Sequence, residues 1–193
     1  LFDTRDVAAV VAKTVADAGT LNGKVNMETT ILGKTTENII TLSTVYEMVR
    51  QLICRNPDSK DTSAENISDF LKDKPMEEIA EYTSNIMEDV ILSSLPGIGK
   101  IRTGVPDASR NNRATFLCYT ALGFQAIARA VRAVLIGGME PDTVKAKLEN
   151  INWDISNRHW KDVVKDGKVA ISKVSLKAAE ALVISQLSSQ HMS

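Results

Sequence analysis

The chain has 193 residues, enough for one domain with a full hydrophobic core or for two small domains. Hydrophobic residues make up 44% of it and aromatic residues only 5%, so the core must be built from alanine, valine, isoleucine and leucine. Charged residues amount to 24%, which excludes a disordered composition, and the longest apolar run, residues 126–139, is too short to span a bilayer. We expect no membrane partner.

The net charge of −1 conceals an uneven distribution of charge along the chain. Residues 1–96 hold 9 Lys and Arg against 16 Asp and Glu, a balance of −7, whereas residues 97–193 hold 14 against 8, a balance of +6. We predict an acidic N-terminal helical half, residues 1–96, and a basic C-terminal helical half, residues 97–193, within one compact domain that is a fragment of a longer protein. The basic half either faces nucleic acid or an acidic partner, or attracts the acidic half within the fold.

Apolar residues at helical spacing, bounded by capping and breaking residues, predict the helices in chain order. The first helix has Asp3 or Thr4 as its N-cap and ends at Gly19. The later helices cover about 41–55, 64–72, 75–94, 110–136, 141–150 and 174–188. Extended structure is predicted only at residues 24–27 and in a hairpin around Gly167, so the fold class is mainly α, a helical bundle-like domain with a few short extended segments.

The predicted helix at 110–136 is the longest, and apolar residues occupy most of its girth, which is typical of a central, buried helix. Arg129 and Arg132 lie on it, and we expect them either to reach solvent along its edge or to pair with acids of the N-terminal half. Residues 95–100 interrupt the helical pattern with a proline and two glycines, and they are the best candidate for a joint between the two halves.

Two glycine-containing segments have a second interpretation as phosphate-binding elements. Gly33-Lys34-Thr35 resembles the end of a nucleotide-binding loop, but Glu28 stands where that loop requires a glycine, so a simple turn is favoured. Leu95-Pro96-Gly97-Ile98-Gly99 resembles the turn of a helix-hairpin-helix element, which binds the DNA backbone through its amides, and a tight joint is the alternative. The acid pairs Glu77-Glu78 and Glu88-Asp89 are predicted to form a solubilising face.

The sequence predicts neither a metal centre nor a catalytic site. Its only histidines are His159 and His191, and no cluster of Cys and His has metal-ligand spacing. Cys54 and Cys118 lie in separate apolar patterns, which indicates buried free thiols and fits a reducing cytoplasm. Because no nucleophile, base and orienting group occur together, we predict that the chain is not an enzyme and needs no cofactor.

Basic residues of the C-terminal half form two clusters that are candidates for contact with DNA phosphates, because guanidinium and ammonium groups are what a phosphate backbone requires. The residues that we select are Arg110, Arg113, Arg158, Lys161, Lys168 and Lys173. The alternative is a solvated face, since Asp162, Asp166 and Glu180 interrupt the second cluster. Trp153 and Trp160 flank Asp154, Asn157, Arg158 and His159, and we expect both rings to anchor a loop to the core rather than to stack on a base.

Several short segments, in a fixed order, resemble the DndB-like proteins of bacterial DNA phosphorothioation systems, which carry a DGQHR motif. They are Leu1-Phe2-Asp3-Thr4-Arg5-Asp6, Val25-Asn26-Met27-Glu28, Ile31-Leu32-Gly33-Lys34, Ile40-Thr41-Leu42-Ser43, Ile151-Asn152-Trp153-Asp154 and Gly167-Lys168-Val169. Thr4 stands in place of the family's usual histidine, and residues 57–112 resemble the family least. The DGQHR motif itself is absent, so the chain corresponds to the C-terminal portion of such a protein.

The resemblance implies a transcriptional regulator that binds promoter DNA beside a DNA sulfur-modification gene cluster. Its expected partner is double-stranded DNA from the promoter of its own gene cluster, together with a second copy of the chain or other DNA-modification proteins. The alternative is a protein–protein interaction or oligomerisation module without DNA contact of its own, which would pack through the Ala-rich helix at 114–136. No catalytic residue of the family maps onto this sequence, and the activity of the region that carries the DGQHR motif stays open.

Overall fold

A computed structural model describes residues 6–169 and 172–189, and within them the chain is mainly α-helical, as the sequence predicts. The α-helices are α1 (Val7–Ala16), α2 (Leu42–Ile53), α3 (Met76–Asn85), α4 (Ile98–Arg102), α5 (Ala108–Thr115), α6 (Ala121–Ile136), α7 (Pro141–Glu149) and α8 (Lys173–Ser188). No helix of this described part is both long enough and apolar enough to cross a bilayer.

Side-chain caps fix where the main helices begin. The predicted N-caps of the first helix, Asp3 and Thr4, lie outside the described residues; Asp6 caps α1 instead, because its carboxylate accepts the Ala9 N–H at 3.0 Å. Thr41, Thr120 and Ser172 cap α2, α6 and α8 in the same way. Each such cap satisfies a backbone N–H that would otherwise lack a partner and contributes about 1 kcal/mol.

Helix α6 lies at the centre of the fold, between α2 and α8, which confirms the prediction of a central buried helix. Its alanines at 126, 128 and 130 are fully buried and let the neighbouring helices approach closely. The apolar core continues through α1, α2 and α3 on one side and α7 and α8 on the other. Elements of the acidic half and of the basic half therefore share one core.

The prediction of one continuous helix over residues 110–136 is wrong, because the chain leaves the helical conformation between α5 and α6. Phe116 is extended and forms an isolated antiparallel β-bridge with Asp154, and a 3-10 turn covers Leu117–Tyr119. The Leu117 N–H donates to the carbonyl oxygen of Trp153 at 2.8 Å. A long-range backbone partner thus replaces the helical hydrogen bonds at this point.

Two further predicted helices change in detail. The helix predicted at 64–72 is only a 3-10 turn at Ala64–Asn66, followed by non-helical turns. The helix predicted from Pro75 to Ser94 has the right extent, but α3 continues into a π-helical turn at Ile86–Ile91 and then into a 3-10 turn at Leu92–Ser94.

Short strands close two loops. β1 (Val25–Asn26) pairs in parallel with β2 (Ile40–Thr41) and brings together the ends of a long loop. β3 (Val164–Lys165) and β4 (Lys168–Val169) form the predicted hairpin. Its two turn residues, Asp166 and Gly167, have φ values of 51° and 71°, which is typical of the turn that matches strand twist in two-residue hairpins.

The prediction of a solubilising face is wrong for Glu88, although its neighbour Asp89 is exposed. The Glu88 carboxylate accepts hydrogen bonds from the backbone N–H and the hydroxyl of Thr20, at 2.9 and 2.6 Å, and from Arg102 at 2.7 Å. Burial opposes ionisation of Glu88, but these hydrogen bonds outweigh it and hold its pKa below the ordinary value of 4.5. The contact joins the segment after α1 to the π-helical turn and to α4.

We expect Glu88→Gln to lower the free energy of unfolding by about 1–2 kcal/mol at pH 7, because charge-assisted hydrogen bonds are lost. Since the folded-state pKa is depressed, the stabilisation is present above pH 4.5 and is lost as the pH falls through the lowered pKa. Urea unfolding between pH 7 and pH 3 should therefore show the variant and the parent converging in acid. Asp89→Asn is the matched control, and an equal effect of both changes would contradict this role for Glu88.

Gly123, at the start of α6, lies against the backbone of the preceding turn. A Cβ atom at this position would be 2.0 Å from the Leu117 carbonyl oxygen, whereas one at Gly99 in α4 would meet nothing within 4 Å. Only glycine fits at 123, because the neighbouring atom is backbone and cannot move aside.

We expect Gly123→Ala to lower the free energy of unfolding by about 2–4 kcal/mol through this overlap. Gly99→Ala should change stability by less than about 1 kcal/mol, because it adds a good helix former in open space. Urea unfolding followed by circular dichroism measures both values. Equal effects would show that the backbone contact at Leu117 is not limiting.

Candidate nucleic-acid interface

Arg158 stands apart from the other arginines of residues 6–169 because it is exposed and its guanidinium forms no hydrogen bond or ion pair with the described part of the chain. The other arginines of that stretch all contact an acid or a backbone carbonyl; they are Arg50, Arg55, Arg102, Arg110, Arg113, Arg129 and Arg132. Most arginine charge is thus engaged inside the fold, and Arg158 is left free to meet an external anion.

Arg158 lines a cleft of about 610 Å³ between the C-terminal end of α5 and residues 154–167. Lys161 and Asn157 line the same cleft, and their ammonium and amide groups are donors of the kind that phosphate oxygens accept from in protein–DNA complexes. One acid, Asp154, lines the cleft as well, and its carboxylate accepts from the backbone N–H and the hydroxyl of Ser156. The cleft therefore combines two cations with one carboxylate that is already hydrogen-bonded.

The turn that carries Arg158 and Lys161 is held firmly to the core. The Asn157 side chain accepts the His159 N–H at 3.0 Å and caps the 3-10 turn at Arg158–Trp160. The buried rings of Trp153 and Trp160 stack with centroids 5.5 Å apart, and the Trp160 indole N–H donates to the Asn152 carbonyl at 3.0 Å. The prediction that both tryptophans anchor a loop is confirmed, and the exposed His159 lies on the same turn.

The hairpin beside the cleft adds two more lysines. Its register places Lys165 directly opposite Lys168, and both side chains are exposed and without an ion pair in the described structure. Like charges in this position destabilise a hairpin unless an anion lies between or near them. The predicted set of DNA-contact residues omitted Lys165. The Asp166-Gly167 turn could have indicated from the sequence that Lys165 lies opposite Lys168. Asp162 and Asp166, which interrupt the cluster, are exposed as well.

Arg110 lies beside this cleft, one turn before Ala114 on the same side of α5. It pairs with Asp107 at 2.7 Å, and the two side chains are 41% and 49% exposed. An ion pair this exposed contributes little to stability, so the Arg110 guanidinium can exchange Asp107 for an external anion.

Arg113 has a different position and holds a loop. Its guanidinium donates to the carbonyl oxygens of Asn38, Thr36 (2.7 Å) and Gly33 (3.4 Å), and burial lowers its pKa. The segment Gly33-Lys34-Thr35 is the turn that the sequence favours, and no helix follows it directly. Arg113 thus fixes residues 33–38 and does not line the cleft.

Lys173 lies apart from the cleft, at the start of α8. Near it, Arg129 pairs with Asp58 of the acidic half at 2.5 Å and with Glu180 at 3.2 Å. Of the two predicted alternatives for Arg129, solvent or an acid of the N-terminal half, the structure has the second. Arg132 donates to the Arg55 carbonyl oxygen instead, at 3.0 Å.

The segment at residues 95–100 is tied to the body of the protein. Gly97 adopts φ = 74°, and the Pro96 carbonyl oxygen accepts from the Tyr119 hydroxyl at 3.0 Å and from the Asn112 amide at 3.3 Å. The helix that follows, α4, is too short to match the second helix of a helix-hairpin-helix element.

The thiols offer no reactive group. Cys54 and Cys118 are free and buried, as predicted, and burial raises the pKa of Cys54 to about 11 and that of Cys118 well above its ordinary value. Among the described residues, no group of three or more His, Cys, Asp or Glu side chains could hold a metal ion.

We expect Arg113→Lys to loosen residues 33–38, because a lysine cannot donate to three separated carbonyls although it keeps the charge. Loss of these hydrogen bonds should raise amide hydrogen exchange of this loop by about tenfold. Arg110→Lys, on the same helix, should leave the loop unchanged. Unaltered hydrogen exchange of residues 33–38 in Arg113→Lys would contradict the role of Arg113 in holding this loop.

Comparison with known proteins supports the resemblance seen in the sequence. A family model described as DndB, DNA-sulfur modification-associated, matches residues 1–190 and so runs through residues 57–112, where the resemblance is weakest. No curated protein and no solved structure matches the chain significantly. The family assignment predicted from short segments is thereby confirmed.

Proposed function

The chain belongs to the DndB family of DNA-sulfur modification-associated proteins, and from this premise we propose that it is a transcriptional regulator that binds double-stranded DNA at the promoter of its own gene cluster. The proposal assigns no catalytic step and no cofactor to this chain.

One observation carries the proposal: four exposed cations without an ion pair in the described residues lie together. Arg158 and Lys161 line the cleft, and Lys165 and Lys168 face each other on the adjoining hairpin. A surface with several unpaired positive charges is suited to a polyanion such as DNA, because binding releases counter-ions from the DNA. Since the turn that carries the charges is already fixed to the core, binding costs little conformational entropy.

The residues have distinct roles in this proposal. Arg158 provides a planar fork for one phosphate, and Lys161 and Lys168 act as point charges for the neighbouring ones. Arg110 joins them by exchanging Asp107 for a phosphate. Arg113 makes no phosphate contact in this proposal, because its guanidinium is engaged by the carbonyls of residues 33–38. Phosphate contacts supply affinity rather than sequence preference, so we expect other groups to provide promoter selectivity.

The experiment compares Arg158→Gln with Lys72→Gln in the intact protein, using fluorescence anisotropy with promoter and random duplexes at low and moderate salt. Lys72 is a fair control because it is exposed, forms no ion pair with the described residues and does not line the cleft. We expect Arg158→Gln to weaken binding about three- to tenfold and to reduce the salt slope by about one, with Lys72→Gln near the parent. Equal affinities of the two variants would overturn the assignment of the cleft.

A second candidate function, an interaction module without DNA contact, is favoured by a different observation. Ile31 is 81% exposed and Met27 is 50% exposed, on a loop that borders a mostly apolar groove of about 460 Å³. The Ala-rich helix that was expected to provide such an interface is not available, because α6 is buried between α2 and α8. Sedimentation over a hundredfold concentration range separates the two candidates: self-association that Ile31→Ser removes, without any DNA binding, would favour this one.

A further inference from the structure

A polar segment over α2 and α6 is held in place by polar contacts, with Asn66 at its first two residues and arginines along the rest. We call residues 55–59 the strap. Arg50 donates to the carbonyl oxygens of Pro57 and Ser59, at 2.7 and 2.5 Å, and Arg132 donates to that of residue 55. The strap carries no buried hydrophobic side chain that would fix it to the core. Its attachment is therefore polar and can open without breaking core packing.

The two side chains of the Asp58–Arg129 ion pair differ in how deeply they are buried. The Arg129 side chain, which belongs to α6, is 8% exposed, whereas that of Asp58 on the strap is 63% exposed. Arg129 also contacts Glu180 at 3.2 Å, and its Nε atom has no hydrogen-bond partner. A guanidinium this deeply buried needs an anion. The fixed part of the site is thus the cation, and the exposed carboxylate is the part that can leave.

Helix α8 brings two more cations to this place. Lys173, Lys177 and Glu180 follow one another at intervals of four and three residues, so they share one face of the helix. Because Glu180 contacts Arg129, that face is directed toward Asp58. The pKa of Asp58 is lowered, first by Arg129 and also by Lys177 and Lys173. Both lysines are exposed and form no ion pair within the described residues.

We propose that Arg129, Lys173 and Lys177 form a binding site for a phosphate group, and that the Asp58 carboxylate occupies this site as an internal competitor until the strap moves away. With Asp58 removed, three cations face one acid, Glu180, which suits a doubly charged phosphate. A phosphate oxygen accepts the same guanidinium N–H that now meets the carboxylate, and its remaining oxygens can reach the two ammonium groups. That the phosphate belongs to duplex DNA rests on the proposed function.

The first experiment tests the site with inorganic phosphate alone. Asp58→Asn and Asp61→Asn each remove one negative charge from the same loop, but Asp61 forms no ion pair in the described structure, and its carboxylate accepts only from Ser63. We expect 100 mM phosphate to raise the Tm of Asp58→Asn by about 2–4 °C more than that of Asp61→Asn. The second variant corrects for the general stabilisation of proteins by phosphate. Equal shifts would overturn the proposal.

A second arm uses a duplex of random sequence with the intact protein. Asp58→Asn should bind it about three- to tenfold more tightly than Asp61→Asn does, with a salt slope steeper by about one to two. Adding Lys173→Gln and Lys177→Gln to Asp58→Asn should remove both this gain and the phosphate response. A gain that survives in the triple variant would overturn the assignment of the lysines.

The two arms separate this site from the cleft. A phosphate response without any duplex binding would support the anion site and overturn the proposed function, whereas duplex binding that depends on Arg158 but not on Asp58 would do the reverse. If Asp58→Asn does not fold, Asp58→Ser and Asp61→Ser replace the pair, with circular dichroism confirming the folded state.

Discussion

The close approach of helices around α6 is the constraint on which the rest of this structure depends. With few aromatic side chains available, the chain fills its interior by bringing small residues into contact, and buried alanines line α6 where α2 and α8 meet it. The same requirement operates at Gly123, which has no room for a side chain beside the Leu117 carbonyl. Since interiors are packed to near-crystalline density, every element that touches α6 is fixed in position by it.

Close packing leaves little room for large polar groups, and the arginines are placed accordingly. Several of them reach from one element to another and bind oxygens that lie far away in sequence, as Arg102 does with the Thr20 hydroxyl and Arg129 with the Asp58 carboxylate. The charge balance of the two halves is therefore a poor guide to the surface, because Arg102, Arg110 and Arg129 pair with acids while Arg113 and Arg132 bind carbonyls. The exposed cations without an ion pair in the described residues include Arg158, Lys161, Lys165 and Lys168 and, on α8, Lys173 and Lys177.

Much of the fold follows from local patterns in the sequence. The start of α2 near Thr41, the extent of the helical segment after Pro75 and the hairpin at Gly167 depend on residues close together in the chain, and the sequence pattern located them. The break at Phe116 does not, because it exists only where Asp154 provides a backbone partner. The same distinction applies to the site. Arg158 and Lys161 share one turn and were predicted together, whereas the engagement of Arg113 with residues 33–38 depends on a contact across the fold.

The kind of oxygen that the arginines bind has an evolutionary consequence. Arg113 binds three backbone carbonyls in residues 33–38, and Arg50 and Arg132 bind only backbone carbonyls in the strap. Every residue type has this acceptor, so the side chains of both loops can be exchanged without loss of these particular contacts, and their composition is free to diverge to that extent. Arg129 differs from Arg50, Arg113 and Arg132, because it binds a side chain of the strap, the Asp58 carboxylate. Its contact therefore depends on the identity of residue 58. Selection on the rest acts through the arginines and through loop length.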